Sequence, residues 1–144
     1  MPHAFIGVDI IAGTNGETEE FFQESYNFVN SLEISQLHAF TYSERSGTQA
    51  LKIQLKVDME ERKRRTQMYI DLSRKKLQTF YEKHIGTEQT VLFEDHKNKG
   101  NMFGFTENYI KVETPYRTDF INQLIKVKLK SIQPDGNVSV EMSV

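Results

Sequence analysis

Residues 5–12 read FIGVDIIA, an almost unbroken apolar run that ends in a glycine-marked turn. Alternation would signal a strand with one wet face. A continuous run signals a strand buried on both faces, as in parallel α/β sheets. A parallel partner must be reached by a crossover, and the following stretch supplies one. Gly13 and Gly16 allow a tight turn. Thr14 or Asn15 is placed to cap a helix, with Glu17, Glu19 and Glu20 in its first turn, where the dipole favours acids. Phe21, Phe22, Ser25, Phe28, Val29 and Leu32 follow helical spacing and predict one apolar face. A second strand, QLHAFTY, spans residues 36–42. The loops after both strands then share one end, the end at which parallel α/β proteins bind ligands. Two strands and one helix cannot cover both faces of such a sheet. The unit is therefore expected to belong to a larger barrel or sheet, or to complete its sheet with another chain.

A long helix follows. Asp58 is a natural N-cap with Glu61 three residues on, and Gly86 ends the segment after His84. Tyr69, Ile70, Leu77, Phe80 and Tyr81, with Met59 near the start, form its expected apolar stripe. RKRR at 62–65 and RKK at 74–76 decorate the rest, either as a solvated face with intrahelical ion pairs or as a basic stripe beside an RNA site. From Gly86 the period changes. Strands are predicted at 87–94, 102–106, 109–113, 124–132 and 138–142, with turns at HKNKGN, TEN and PDGN. LIKVKLK alternates, so Lys126, Lys128 and Lys130 share the outer face. Five short strands suggest a small closed barrel of the OB-like kind, which binds single-stranded RNA with a basic surface and stacking aromatics. Phe103, Phe105, Tyr109 and Tyr116 are available for stacking. One of Phe103 and Phe105 is expected in the barrel core, and Tyr109 on the surface.

Composition removes several alternatives. With 38% hydrophobic and 26% charged residues the composition is globular. No apolar run approaches the roughly 20 residues of a membrane span, and MPHAFIGV lacks the basic start of a secretory signal. The expected location is the cytoplasm, with no membrane partner. The chain has no cysteine, which excludes disulfides and thiolate metal sites within it. The net charge of −2 is uneven. Residues 1–55 carry seven acids and two bases, whereas residues 56–85 carry nine bases and five acids. The distribution leaves nucleic acid open as a partner where the total would not suggest it.

In order, GVDIIAGTNGETEEFF, LHAFTYSERSGTQA, a basic helix ending FYEKHIG, and GFTENYIKV resemble the C-terminal end of the radical SAM methylthiotransferases. The likeness is greatest to the branch acting on N6-threonylcarbamoyladenosine in tRNA, and it covers essentially the whole chain. It implies that residues 1–56 are the last β-α-β of a partial TIM barrel and that 57–85 are a connecting basic helix. Residues 86–144 would be a TRAM domain, an OB-like RNA-binding barrel. The implied parent activity is 2-methylthiolation of that nucleoside next to the anticodon, with S-adenosylmethionine and two 4Fe-4S clusters. The family holds its clusters through a CxxxCxxC loop and three further cysteines, and none is present in this chain. The chain alone is therefore expected to bind no cofactor and to be inert. Cleavage of S-adenosylmethionine by the reconstituted chain would contradict that.

DIIAGTNGET resembles the family's D-x-I-x-G-F-P-G-E-T, matching at Gly13, Gly16 and Glu17, with Thr14 and Asn15 in place of Phe and Pro. HAFTYSERSGTQA resembles H-x-F-x-Y-S-x-R-x-G-T-x-A, matching at His38, Phe40, Tyr42, Ser43, Arg45, Gly47, Thr48 and Ala50. The resemblance implies cofactor contacts at Ile11, Gly13, Phe40 and Tyr42. Arg45 would orient a phosphate or carboxylate of the tRNA substrate, or else form a structural salt bridge to Glu44 or Glu17. His38 and Asp9 are read as hydrogen-bonded polar groups of buried strands. GFTENYIKV resembles the central hairpin of the TRAM domain. With charge placement it assigns Asn108, Tyr109, Lys111, Lys97 and Lys99 to RNA, with the tRNA anticodon region as partner. No catalytic residue or metal ligand is assigned. A stand-alone RNA-binding or adaptor protein and a piece of a ribosomal-protein methylthiotransferase are the alternatives. The first strand is expected to leave an open edge and exposed apolar surface, favouring self-association or domain swapping.

Overall fold

The computed structural model describes residues 1–143. The chain forms two compact units, Ile6–Leu77 and Met1–Phe5 with Gln78–Val144. Among the described residues no helix is long and apolar enough to cross a membrane.

In the first unit β1 (Gly7–Ala12) and β2 (Gln36–Thr41) pair in parallel, from Gly7 opposite Gln36 to Ala12 opposite Thr41. Helix α1 (Glu19–Ser31) joins them, and the N-terminal part of α2 (Met59–His84) packs in the same unit. The core is Ala12, Phe22, Val29, Leu37, Tyr69 and Leu72, with Val8, Ile10, Tyr26 and Ala39 against it. Phe22 meets Tyr69 edge-on, with ring centroids 5.5 Å apart. Burying side chains of this size contributes about 1.5–3 kcal/mol each. The sheet has two strands among the described residues, so the outer edge of β2 needs other partners. At Leu37 they come from Ser73 of α2, whose hydroxyl accepts from Leu37 N–H and donates to Leu37 C=O, each at 2.9 Å.

Several details depart from the sequence reading. Strand β1 is not buried on both faces. Val8 and Ile10 pack inward, whereas Asp9 and Ile11, with their register partners His38 and Phe40, form an open face. Asp9 and His38 are thus exposed polar groups, not core ones. Helix α1 is capped by Thr18, whose hydroxyl accepts from Phe21 N–H. Thr14 instead anchors a turn through its carbonyl to Glu17 N–H, and Asn15 turns inward to donate to Ala50 C=O. The apolar face expected of α1 splits in two. Phe22 and Val29 are buried while Phe21, Phe28 and Leu32 are exposed, about 100° around the helix at 3.6 residues per turn. Helix α2 begins as expected, with the Asp58 carboxylate accepting from Glu61 N–H at 2.9 Å. Its buried stripe is Tyr69, Leu72, Phe80 and Tyr81, and Met59 is exposed.

In the second unit β3 (Glu88–Asn98), β4 (Asn101–Thr106), β5 (Lys111–Pro115), β6 (Leu124–Ile132) and β7 (Val138–Met142) close in the order β3-β4-β5-β7-β6. All pairs are antiparallel except β5–β7, which is parallel and closes the ring through Val112–Val138 and Glu113–Ser139. Val91, Phe93, Met102, Ile110, Val112, Phe120, Val127, Leu129 and Val138 fill the interior. Neither Phe103 nor Phe105 is among them: alternation along β4 assigns the inward positions to Met102 and Gly104. Gly104 is required by close approach, since an added Cβ would strike the Leu92 carbonyl on β3. Strand β5 starts at Lys111 rather than 109 because Tyr109 sits in a turn at φ 62°. The hydroxyl of Tyr81, near the end of α2, accepts from Lys111 N–H at 3.1 Å.

Candidate functional site

The end of the α/β unit at which a ligand is expected is formed where β1 and β2 run into their loops. A cavity of about 450 Å³ is lined by Ile11, Phe40, Thr41, Tyr42, Ser43, Arg45, Thr48 and Ala50. Ile11 and Phe40 are register partners on the open face, each 54% exposed. They give the cavity an apolar floor, and Ser43, Thr48 and Arg45 bring polar groups to it. The Arg45 guanidinium has no ion-pair partner among the described residues. The salt bridge to Glu44 or Glu17 does not form, because other cations occupy both carboxylates. Glu44 lies 3.7 Å from Lys56 and 3.5 Å from Arg62, and Glu17 lies 2.8 Å from Arg65.

Gly13, expected among the cofactor contacts, is not in the cavity lining. It is buried at φ 80°, and an added Cβ would collide with the Arg62 side chain. Arg62 is the residue that sequence reasoning missed. It donates from Nε to Val57 C=O at 2.7 Å and from its guanidinium to Tyr42 C=O at 3.3 Å, and lies 5.3 Å from the Tyr42 ring centroid. It therefore ties the loop after β1 to the loop after β2, behind the cavity. Arg65, one helical turn on, bonds Glu17 and Glu61 at 2.8 Å and Glu19 at 3.3 Å. Both arginines are buried, so they form neither a solvated face nor an RNA stripe. Thr41, Ser43, Thr48 and Ala50 were also not named as site residues, although three of them stand in the second motif. Their part depends on how the loop after β2 folds back, which spacing does not reveal.

The barrel's outer surface holds the other predicted residues. Lys111 stands over the Phe103 ring at 5.2 Å, and Lys97 over the Tyr116 ring at 5.2 Å. The Tyr116 hydroxyl donates to Asp95 at 3.2 Å. Lys99 is exposed in the β3–β4 turn at φ 49°. Tyr109 is 66% exposed, its ring 6.4 Å from Phe105 and 5.8 Å from Phe5. A bulky residue at positive φ is strained. Here the turn is over-determined, because the Thr106 hydroxyl accepts from Ile110 N–H and donates to the Asn108 side chain. The Asn108 amide also donates to His3 C=O, so this side chain is engaged in holding the turn. The predicted RNA residues therefore fall into two groups, Lys97 and Lys99 towards one end of β4 and Tyr109 and Lys111 towards the other, with Lys97 opposite Met102 and Lys111 opposite Phe105, about 10 Å apart at strand rise. Between them Glu113 has its carboxyl pushed up by burial. Asn137 opposes that shift, and nearby Asp135 adds to it. Among the described residues no three His, Asp or Glu side chains are placed to hold a metal ion.

No protein-family model matches this chain. It is 34% identical over 133 residues to the threonylcarbamoyladenosine tRNA methylthiotransferase MtaB of Bacillus subtilis (strain 168), covering 90% of this chain and 30% of that protein. It is 38% identical over 112 residues to the protein of the same name from Aquifex aeolicus (strain VF5), covering 78% and 26%. It is 36% identical over 134 residues to the tRNA-2-methylthio-N(6)-dimethylallyladenosine synthase of Buchnera aphidicola subsp. Cinara cedri (strain Cc), covering 92% and 30%. The chain thus spans 26–30% of the length of these relatives.

Proposed function

We propose, from the premise that this chain is homologous over about nine-tenths of its length to the tRNA methylthiotransferases, that it performs the RNA-holding part of such an enzyme and forms one wall of its cofactor site. On this reading it corresponds to the C-terminal part of the parent, with the α/β unit as the end of a partial TIM barrel and the closed barrel as a TRAM domain. The nucleoside modified is N6-threonylcarbamoyladenosine beside the anticodon, in a cytoplasmic tRNA.

The cavity fits an adenosyl group in size and character: its volume lies within the usual range of small-molecule sites, and such sites are mostly apolar with a few placed polar groups. Ile11, Phe40 and Tyr42 would hold that group, with Gly13 and Arg62 fixing the loops behind them. Arg45 offers a charged contact to a phosphate or carboxylate at the rim. S-adenosylmethionine, when bound with a cluster, supplies the radical and methyl chemistry. The clusters do not fit this chain, which has no cysteine to ligate them.

The outward face of β4 and β5 carries the RNA reading. There Lys111 lies over the Phe103 ring beside the exposed Phe105 and Tyr109, while Lys97 on β3 lies over the Tyr116 ring towards the far end of β4. Base stacking plus phosphate contact is the chemistry by which small barrels hold single-stranded RNA. Fluorescence anisotropy with a labelled anticodon stem-loop tests it. Tyr109→Ala combined with Lys111→Ala should weaken binding about tenfold or more, since one stacked base is worth about 1–3 kcal/mol. Loss of one phosphate contact should lower the salt slope by about 0.7. Unchanged affinity in the double variant would remove the assignment.

A further inference from the structure

The barrel's outer surface carries an apolar row. Lys111, Phe105, Leu92 and Leu124 are consecutive register partners across β5, β4, β3 and β6. At about 4.8 Å per strand they form an outward row about 14 Å long. Leu92 is 48% exposed, Phe105 38% and Leu124 70%. The inward neighbours, Val91, Phe93, Val127 and Leu129, already fill the interior. A contiguous apolar row on a charged surface marks an interaction site.

The surrounding charges say what kind. Lys111 stands at one end. At the other, Lys126 is two residues from Leu124 on the same face, opposite Thr90, exposed and without an ion-pair partner among the described residues. Lys128 is also exposed, but its cross-strand neighbours are Glu88 and Glu141, so it contributes little net positive potential. Glu94 and Glu113 flank the other side of the row. Two cations at the ends and carboxylates along one side do not suit a backbone-dense duplex. They suit a ligand that presents flat apolar faces with few phosphates, which is unpaired RNA whose bases are splayed out.

We propose that this row binds unpaired bases, laid across Phe105, Leu92 and Leu124 with flanking phosphates at Lys111 and Lys126. The footprint on RNA thereby extends beyond the β4–β5 face, across β3 onto β6. This rests on the RNA-holding reading above and adds Leu92, Leu124 and Lys126 to it.

The test uses the full chain with a short single-stranded RNA carrying 2-aminopurine and with its duplex. The parent chain should prefer the single strand. Leu92→Thr with Leu124→Thr keeps strand-forming residues. It should lower single-strand affinity about tenfold or more through the apolar burial lost at two leucines and reduce the 2-aminopurine signal to the part that Phe105 retains, with the salt slope kept. Lys126→Gln should do the reverse, cutting the slope by about 0.7 with a smaller loss of affinity. Near-UV circular dichroism verifies that each variant keeps the barrel. Three results would overturn the proposal. The leucine variant could bind the single strand within about twofold of the parent. The parent could bind the duplex equally well. Or the leucine variant could convert a self-associating parent into a monomer with RNA affinity unchanged, which would make the row a protein interface. A parent that binds no RNA removes the RNA-holding reading itself. A parent sensitive to Tyr109 and Lys111 but indifferent to the leucines removes this inference alone.

Discussion

Gly13→Ala is expected to destabilise the α/β unit by about 2–6 kcal/mol, the sum of two costs that usually run at about 1–3 kcal/mol each. The first is conformational, because Gly13 has φ 80° and a side chain there is strained. The second is steric. The added Cβ would collide with Arg62, and Arg62 cannot retreat. Its Nε is committed to Val57 C=O and its guanidinium to Tyr42 C=O and Glu44. Gly47 provides the control: its φ is 79°, yet no atom lies within 4 Å of an added Cβ. Gly47→Ala should carry only the conformational cost, about 1–3 kcal/mol. The difference between the two variants therefore isolates the contact with Arg62. Urea unfolding followed by tyrosine circular dichroism, with hydrogen exchange to locate the loss within residues 6–77, measures it. Equal effects of the two substitutions would show that Arg62 does not hold the loop.

Gly13 also shows what pattern reading can and cannot reach. Its place in a strand-end turn was legible, because a continuous apolar run followed by Gly-x-x-Gly admits few structures. The reason for the glycine was not, since the atom that fills its missing side chain comes from a helix about fifty residues later. The same division holds elsewhere. The extents of β6 and β7, the Asp58 cap and the parallel pairing of the first two strands follow from local signals, and the structure has them. The fates of Arg62 and Arg65 do not. A run of four basic residues looks the same whether it faces water or reaches under a loop to an acidic turn. Phe103 and Phe105 were misjudged for a related reason. Alternation identified two faces, but with Gly104 inward only Met102 marked that side as the core, against two phenylalanines on the outer side. The cavity was half legible. Ile11, Phe40 and Tyr42 lie on its wall as strand-end residues should, while Ser43, Thr48 and Ala50 reach it through a loop whose path is set by Asn15 bonding Ala50.

Arg65→Ala is the second large effect, expected to cost about 3–5 kcal/mol, the usual consequence of leaving a buried charge without its partner. The Arg65 side chain is 5% exposed and Glu17 15%, with 2.8 Å between them. Glu17 also accepts from Gly13 N–H at 3.0 Å, so the arginine positions the loop after β1 through this carboxylate. Arg65 further donates to Glu17 C=O and lies 5.2 Å from the Phe22 ring centroid. Removing both charges should be milder than removing one. Arg65→Met with Glu17→Gln keeps an acceptor for Gly13 and strands no ion, so it should recover much of the loss. A cost for Arg65→Ala below about 1 kcal/mol would place the cluster with ordinary surface pairs. Acid titration gives an independent measure. Hydrogen bonding from Arg64, and then from Arg65, outweighs burial and holds the Glu61 carboxyl down at about 2. A group depressed in the folded state stabilises it above the ordinary carboxylate value and loses that contribution as pH falls towards the folded value. The α/β unit should therefore weaken between about pH 4.5 and 2. Arg65→Met should flatten this dependence without abolishing it, because Arg64 retains the larger share of the hold on Glu61. An acid profile identical to the parent's would mean that Arg65 acts through packing on Phe22 rather than through the carboxylates.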